Sequence, residues 1–162
     1  MNKAVIIAVC VSLSGCAAVP IGQEPIPYTA TKDLNEKGIS NLTVRSVSMN
    51  GTYQEIAGVP CELKGDGFRS TFVTPAIVVT PDMGPRTPVA SLRCTHEGQA
   101  FFQILQPIND TVSSIDQNAS AAGAGAGLVG IIVSGISASS QRARRDATLD
   151  VYGYADVTAT FN

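Results

Sequence analysis

Ala147-Thr148-Leu149-Asp150-Val151-Tyr152-Gly153-Tyr154-Ala155-Asp156-Val157-Thr158-Ala159-Thr160-Phe161 places a small or apolar residue at every odd position and Thr, Asp or Tyr at every even one. Successive side chains of a strand point to opposite faces, so this period of two predicts a strand with one apolar face. The run is longer than most strands, and a bend is expected near Gly153. A strand of a membrane barrel alternates in the same way. The other strand-like runs are too few and too broken by proline to close a barrel, so a sheet covering one core is the reading.

The segment from Asn41 to Leu105 supplies the rest of that sheet. Leu42-Thr43-Val44-Arg45-Ser46-Val47-Ser48-Met49 reads as a strand ended by the Asn50-Gly51 turn, with Tyr53 to Ala57 returning from it. Cys61-Glu62-Leu63-Lys64 alternates before Gly65-Asp66-Gly67 turns the chain, and Phe68 and Phe72 share one face of the next strand. Ala76-Ile77-Val78-Val79-Thr80, fenced by Pro75 and Pro81, suits a buried strand. Pro81-Asp82-Met83-Gly84-Pro85-Arg86-Thr87-Pro88 reads as an exposed loop. Ala90, Leu92 and Cys94 then face one way, and after Glu97-Gly98 the run Gln99 to Leu105 resumes.

The amino terminus carries a different message. Met1-Asn2-Lys3 is followed by the apolar run Ala4 to Val11 and by Ser12-Leu13-Ser14-Gly15-Cys16. A basic start, a short apolar core and small residues before a cleavage point make a signal peptide, residues 1–15. The run is shorter than the roughly 20 residues that cross a bilayer. Leu13-Ser14-Gly15-Cys16 resembles the lipobox of bacterial lipoproteins. That resemblance implies a diacylglyceryl group on Cys16, cleavage before it and acylation of its amine. Membrane lipid is then a partner through Cys16, since two or three chains anchor stably where one is marginal. In the enterobacterial version of the family an aspartate after the cysteine retains the protein in the inner membrane. Ala17 and Ala18 therefore imply the outer membrane, with a periplasmic domain. An ordinary secretory signal is the rival reading.

Cleavage after Gly15 removes Lys3 and no acid, taking the formal charge from −2 to −3. So mild an acidity offers no electrostatic basis for nucleic-acid binding. With Cys10 leaving and Cys16 lipidated, Cys61 and Cys94 remain, and an oxidising compartment favours a disulfide between them. Closing a loop of about 34 residues stabilises by roughly 3–4 kcal/mol in the chain-entropy picture. Two cysteines and one histidine without close spacing make a poor zinc set, and no Cys-x-x-Cys redox spacing is present. The arrangement Gly58-Val59-Pro60-Cys61-Glu62-Leu63, Thr74-Pro75, Val78-Val79, Leu92-Arg93-Cys94 and Gly98 resembles a small proteobacterial lipoprotein domain. That likeness implies fold and location rather than activity.

Residues 117–141 carry no charge. Gly123 and Gly127 stand four apart, as do Ala126, Gly130, Ser134 and Ala138, so on a helix they form a flat stripe of small residues. The pattern resembles the glycine zippers of membrane-associated bacterial proteins. Asp116 before it and Arg142, Arg144 and Arg145 after it suit a helix dipole. Five glycines weaken an isolated helix by about 1 kcal/mol each, so something must compensate. Bilayer insertion, self-association, packing on the chain's own sheet and a loop all stay open; the arginines read as a solvated helix end, or as a contact for anionic lipid.

No catalytic constellation emerges. His96 is the sole histidine and its neighbours Thr95 and Glu97 are expected on a turn, so it reads as a surface residue. There is no Gly-x-Ser-x-Gly elbow, His-Glu-x-x-His helix or phosphate loop, and Asp66 and Asp82 read as turn formers rather than calcium ligands. No cofactor and no metal is implied.

The expected architecture is therefore mostly β: a small disulfide-braced antiparallel sheet or sandwich with a Gly/Ala-rich helical or hairpin insertion before the last strand. Residues 16–40 form a lipidated tether, 41–115 the β domain, 116–145 the apolar insertion and 146–162 the closing strand. The expected function is that of an accessory or structural envelope protein working through homo-oligomer formation or contact with membrane and envelope proteins. The alternative is a periplasmic binding or inhibitor module presenting residues 81–88.

Overall fold

The computed structural model describes residues 20–123 and 138–162, with residues 119–123 given by backbone alone. The fold is mostly β. One sheet has five antiparallel strands: β1 (Thr29–Ala30), β5 (Phe68–Val73), β4 (Pro60–Gly65), β7 (Ala90–His96) and β8 (Gln99–Leu105), in that spatial order. The second sheet is centred on the long β2 (Gly38–Ser48). β6 (Ala76–Asp82) and β3 (Gln54–Ile56) pair antiparallel with its two halves, and β11 (Val157–Phe161) runs parallel to it. A two-stranded ribbon joins β9 (Pro107–Asn109) to β10 (Tyr152–Tyr154).

Alternation makes these strands, and it also makes the core. Cys61 and Leu63 of β4, Phe68 and Phe72 of β5, and Leu92 and Cys94 of β7 point inward. They meet Leu42 and Val44 of β2, Ala76 and Val78 of β6, and Val157, Ala159 and Phe161 of β11 in one hydrophobic cluster. Each fully buried Leu, Val or Phe contributes about 1.5–3 kcal/mol, so two modest sheets suffice without tryptophan. Two buried hydroxyls are satisfied within this core, Thr74 donating to Ser46 at 2.8 Å.

Cys61 and Cys94 face each other in register on adjacent strands, with Cα atoms 4.1 Å apart, and are joined by a disulfide. The bond ties β4 to β7 across the excursion through β5 and β6.

Turn chemistry follows the sequence at two hairpins. Asp66-Gly67 joins β4 to β5 with Gly67 at φ 93°, and Glu97-Gly98 joins β7 to β8 with both residues at positive φ. The Glu97-Gly98 pair is the mirror-image turn that suits the twist of a hairpin. Asn50-Gly51 differs. It lies in a five-residue connection between β2 and β3 rather than making a two-residue turn.

The chain expected as tether enters the domain well before residue 41. Ile26 bridges to Val78 and exchanges backbone hydrogen bonds with Ile77 and Val79. Tyr28 sets its ring edge-on to Phe68, β1 pairs with β5, and Leu34 is buried. These apolar residues lie among prolines and polar groups without period, which hid them from a pattern reading.

The closing strand is not one strand. Asp146 caps a 3-10 turn at Ala147–Leu149, accepting from the Thr148 amide. β10 follows, a break falls at 155–156, and β11 completes the run. The expected apolar face holds only over β11. Leu149 is 75% exposed and Ala155 is exposed, whereas Tyr154 is buried with its hydroxyl donating to the Pro88 carbonyl at 2.7 Å. Asp150, drawn inward by Arg145 and Asn109, disrupts the alternation before β10, and Asp156, which accepts the Thr43 amide, sits at the break. The bend is therefore two residues beyond Gly153.

Candidate functional site

The most elaborate polar structure among the described residues lies where the insertion leaves and re-enters the β domain. β9 and β10 pair antiparallel, and the Asp110 amide donates to Val151 O at 2.9 Å, so the two ends of the insertion are side by side. Helix α1 (Asp110–Gly123) starts directly after β9, six residues before the insertion was expected to begin at 116. Asn109 starts it: its Oδ1 accepts the Val112 amide at 3.0 Å, satisfying one of the free donors of the first turn. Residues 138–144 are also helical.

Side chains fasten the two limbs to each other and to the sheet. Asp150, 3% exposed, accepts from Asn109 Nδ2 at 2.6 Å and from Arg145 Nε at 3.0 Å and 3.2 Å. The Arg145 guanidinium, then the Asn109 amide, hold its carboxyl below the usual carboxylate range. Arg145 also donates through Nη1 to Arg142 O, and Arg142 pairs with Asp116 of α1 at 2.6 Å. On the sheet side Ser40 donates to Asp110 at 2.6 Å, while Thr111 Oγ1 accepts the Val151 amide at 3.0 Å. Hydrogen bonds with a charged partner are the stronger kind, and here several share partners.

Beside this clamp a cavity of about 240 Å³ opens between α1 and the β10–β11 corner, lined by Asn41, Ile108, Asp110, Ser113, Gln117 and Asp156 among others. A second, of about 220 Å³, lies between the 32–35 segment, Asp66, Met83 and Arg86. Its Lys32–Asp66 pair is solvent-exposed, and such pairs add little stability.

Cys16, the expected lipidation residue, lies outside the described residues, as does the rest of the expected signal peptide and lipobox. Of the stripe expected to pack as a helix face, Gly123 is the last residue of α1, and Gly127, Gly130 and Ser134 lie outside the described residues. Among the described residues no helix is long and apolar enough to cross a membrane, and no group of three or more His, Cys, Asp or Glu is placed to hold a metal ion.

The segment 81–88 differs from the exposed loop expected of it. Pro81 and Asp82 end β6, a 3-10 turn spans Gly84–Arg86, and residues 81–84 and Thr87 are buried. Asp82 accepts the Gly84 amide and Thr87 Oγ1 accepts the Met83 amide, closing the turn on itself. A proline is tolerated in β6 because the strand lies at the margin of its sheet. His96 ends β7 rather than standing on a turn, its ring edge-on to Phe161 at 5.5 Å.

Sequence reasoning missed the clamp. Asn109 carries a helix-start signal, a cap residue before Asp110 and Thr111. Asp150 carries none, because in an alternating run it reads as an outward strand residue. No protein-family model matches the chain, and no curated protein or solved structure matches it.

Proposed function

We propose that the chain is a lipid-anchored accessory protein of the bacterial cell envelope, acting through self-association or contact with membrane and other envelope proteins. The observation that carries this reading is the clamped base of the insertion. A charge-free stretch, 117–141, is bracketed by Asp116 and Arg142, which pair with each other, and is tied to the sheet through Asp150 and Arg145. Ordering charged side chains around an uncharged, Gly/Ala-rich stretch gives that stretch a fixed starting point on the domain, as a contact arm requires. The lipobox Leu13-Ser14-Gly15-Cys16 supplies the anchor, and the small residues Gly123, Gly127, Gly130 and Ser134 supply the packing stripe.

The test is the mass of the full, acylated chain in detergent. Wild type is expected to run as an oligomer, and Gly127→Leu combined with Gly130→Leu is expected to lower its mass. A monomer in both cases removes the self-association form of the proposal. The binding-module alternative is weakened by the burial of residues 81–84 and 87, which leaves Pro85 and Arg86 as the exposed part of that segment.

A further inference from the structure

We propose that strand β8 is an interface between two copies of this chain, joined antiparallel edge to edge into a continuous ten-stranded sheet. β8 ends the five-stranded sheet on one side, and its residues Gln99-Ala100-Phe101-Phe102-Gln103-Ile104-Leu105 include no charge, no proline and no glycine. Phe102 is 63% exposed and Ile104 50% exposed. An exposed edge of this length presents unpaired backbone donors and acceptors, and sequences ordinarily guard it with charge, proline or brevity.

Among the described residues the other edges of the two larger sheets are shorter, partly covered or polar on the exposed face, where β11 turns only Thr158 and Thr160 outward. β1 is two residues long and β3 three, and the Ile26 bridge covers part of β6. The chain end beside β11 is held by the Gln99 side chain, which donates to Asn162 O and accepts the Asn162 amide. That clasp uses only the first residue of β8; among the described residues no strand pairs with the outer edge of Ala100 to Leu105.

Charge and register select a second copy as the occupant. A two-fold axis at Phe102 sets Phe102 against Phe102 and Ala100 against Ile104, so both copies keep their apolar side chains on one face. Facing aromatic and aliphatic pairs are favourable cross-strand neighbours. The nearest charge on that face is Arg93, opposite Phe102 on β7, and it is itself opposed by Glu62 on β4. Across the junction the two Arg93 positions would stand three strand spacings apart, about 14 Å. That exceeds the screening length of about 8 Å at physiological salt. A partner strand of either charge finds nothing on β8 to pair with; an identical uncharged strand meets no repulsion.

This surface is separate from residues 116–145, so it stands or falls apart from the function proposed above. The full, acylated chain carrying Phe102→Cys is expected to give a covalent dimer, directly or with a short bismaleimide. Thr71→Cys, exposed on the same face at the far side of the sheet, is expected to give none. Phe102→Lys, at an exposed position, should keep the wild-type melting temperature and lower the detergent mass by a factor of two. The Gly127→Leu/Gly130→Leu chain carrying Phe102→Cys should still cross-link. No dimer with Phe102→Cys, an unchanged mass with Phe102→Lys, or an adduct only with a different protein would each overturn the β8 interface.

Discussion

At Gly153 the ribbon crosses β2 with no room for a side chain. A Cβ there would collide with Ser40 Oγ and with the Asp110 carboxylate that Ser40 contacts. Neither neighbour is the free end of a flexible chain, because each holds the other at 2.6 Å. Gly153→Ala is therefore expected to destabilise the domain by about 1–3 kcal/mol, the usual range for overpacking. A lower urea midpoint with an unchanged slope checks it, and an unchanged midpoint would mean that the ribbon sits farther from β2. Gly153 stood out in the sequence as the glycine of an alternating run, which marks a bend or a close backbone approach. The bend was the reading; the close approach is the structural reason.

At the scale of elements, legibility followed how local the cause was. β4, β5 and β7 place their inward residues at every second position, and two-residue turns join β4 to β5 and β7 to β8, so the inward faces of β4, β5 and β7 and the meeting of Cys61 with Cys94 were readable. β10 and β11 alternate equally well, yet they lie in different sheets. Two side-chain bonds, Asp150 to Asn109 and Asp156 to the Thr43 amide, override the period. Partners that far away leave no trace in a local pattern. The parallel pairing of β11 with β2 was hidden for the same reason, since it depends on a long return path through the insertion.

The clamp at the base of the insertion is pH-sensitive with a definite sign. Arg145 and Asn109 hold the Asp150 carboxyl below its ordinary value, and Thr148 does the same for Asp146. A lowered folded-state value stabilises fully above the unfolded value of about 3.9 and is lost as pH falls through the folded one. Amide protection at the start of α1 is accordingly expected to be flat above about pH 5 and to fall below about pH 4. Asp150→Ala should lower that protection at neutral pH and flatten its acid step, leaving the strand amides of β4 and β7 as they are. Hydrogen exchange resolved to residues 110–113 measures this, and an acid step of the same size in the variant would assign the sensitivity to other carboxylates.

For the molecule as a whole the anchoring proposal makes the most direct demand. The described domain presents one disulfide-braced core with its amino-terminal entry at Ile26, where the chain joins β6, ten residues beyond Cys16. Ten residues of extended chain reach about 30 Å, so a lipid at Cys16 would keep the sheets within a few strand lengths of the bilayer surface. Held there, an apolar arm rooted at Asp116 and Arg142 meets lipid or a neighbouring copy at a high effective concentration, and weak contacts become sufficient. Cys16→Ser, with signal and domain otherwise intact, is expected to shift the protein from the membrane pellet to the soluble fraction. Its melting temperature should stay within a degree or two, because the substitution lies ten residues outside the core. Mass spectrometry of the wild-type chain should show Cys16 as the first residue with its acyl groups. An unmodified Cys16 thiol, or a Cys16→Ser protein that still pellets with membranes, would move the burden of attachment onto the arm at 116–145.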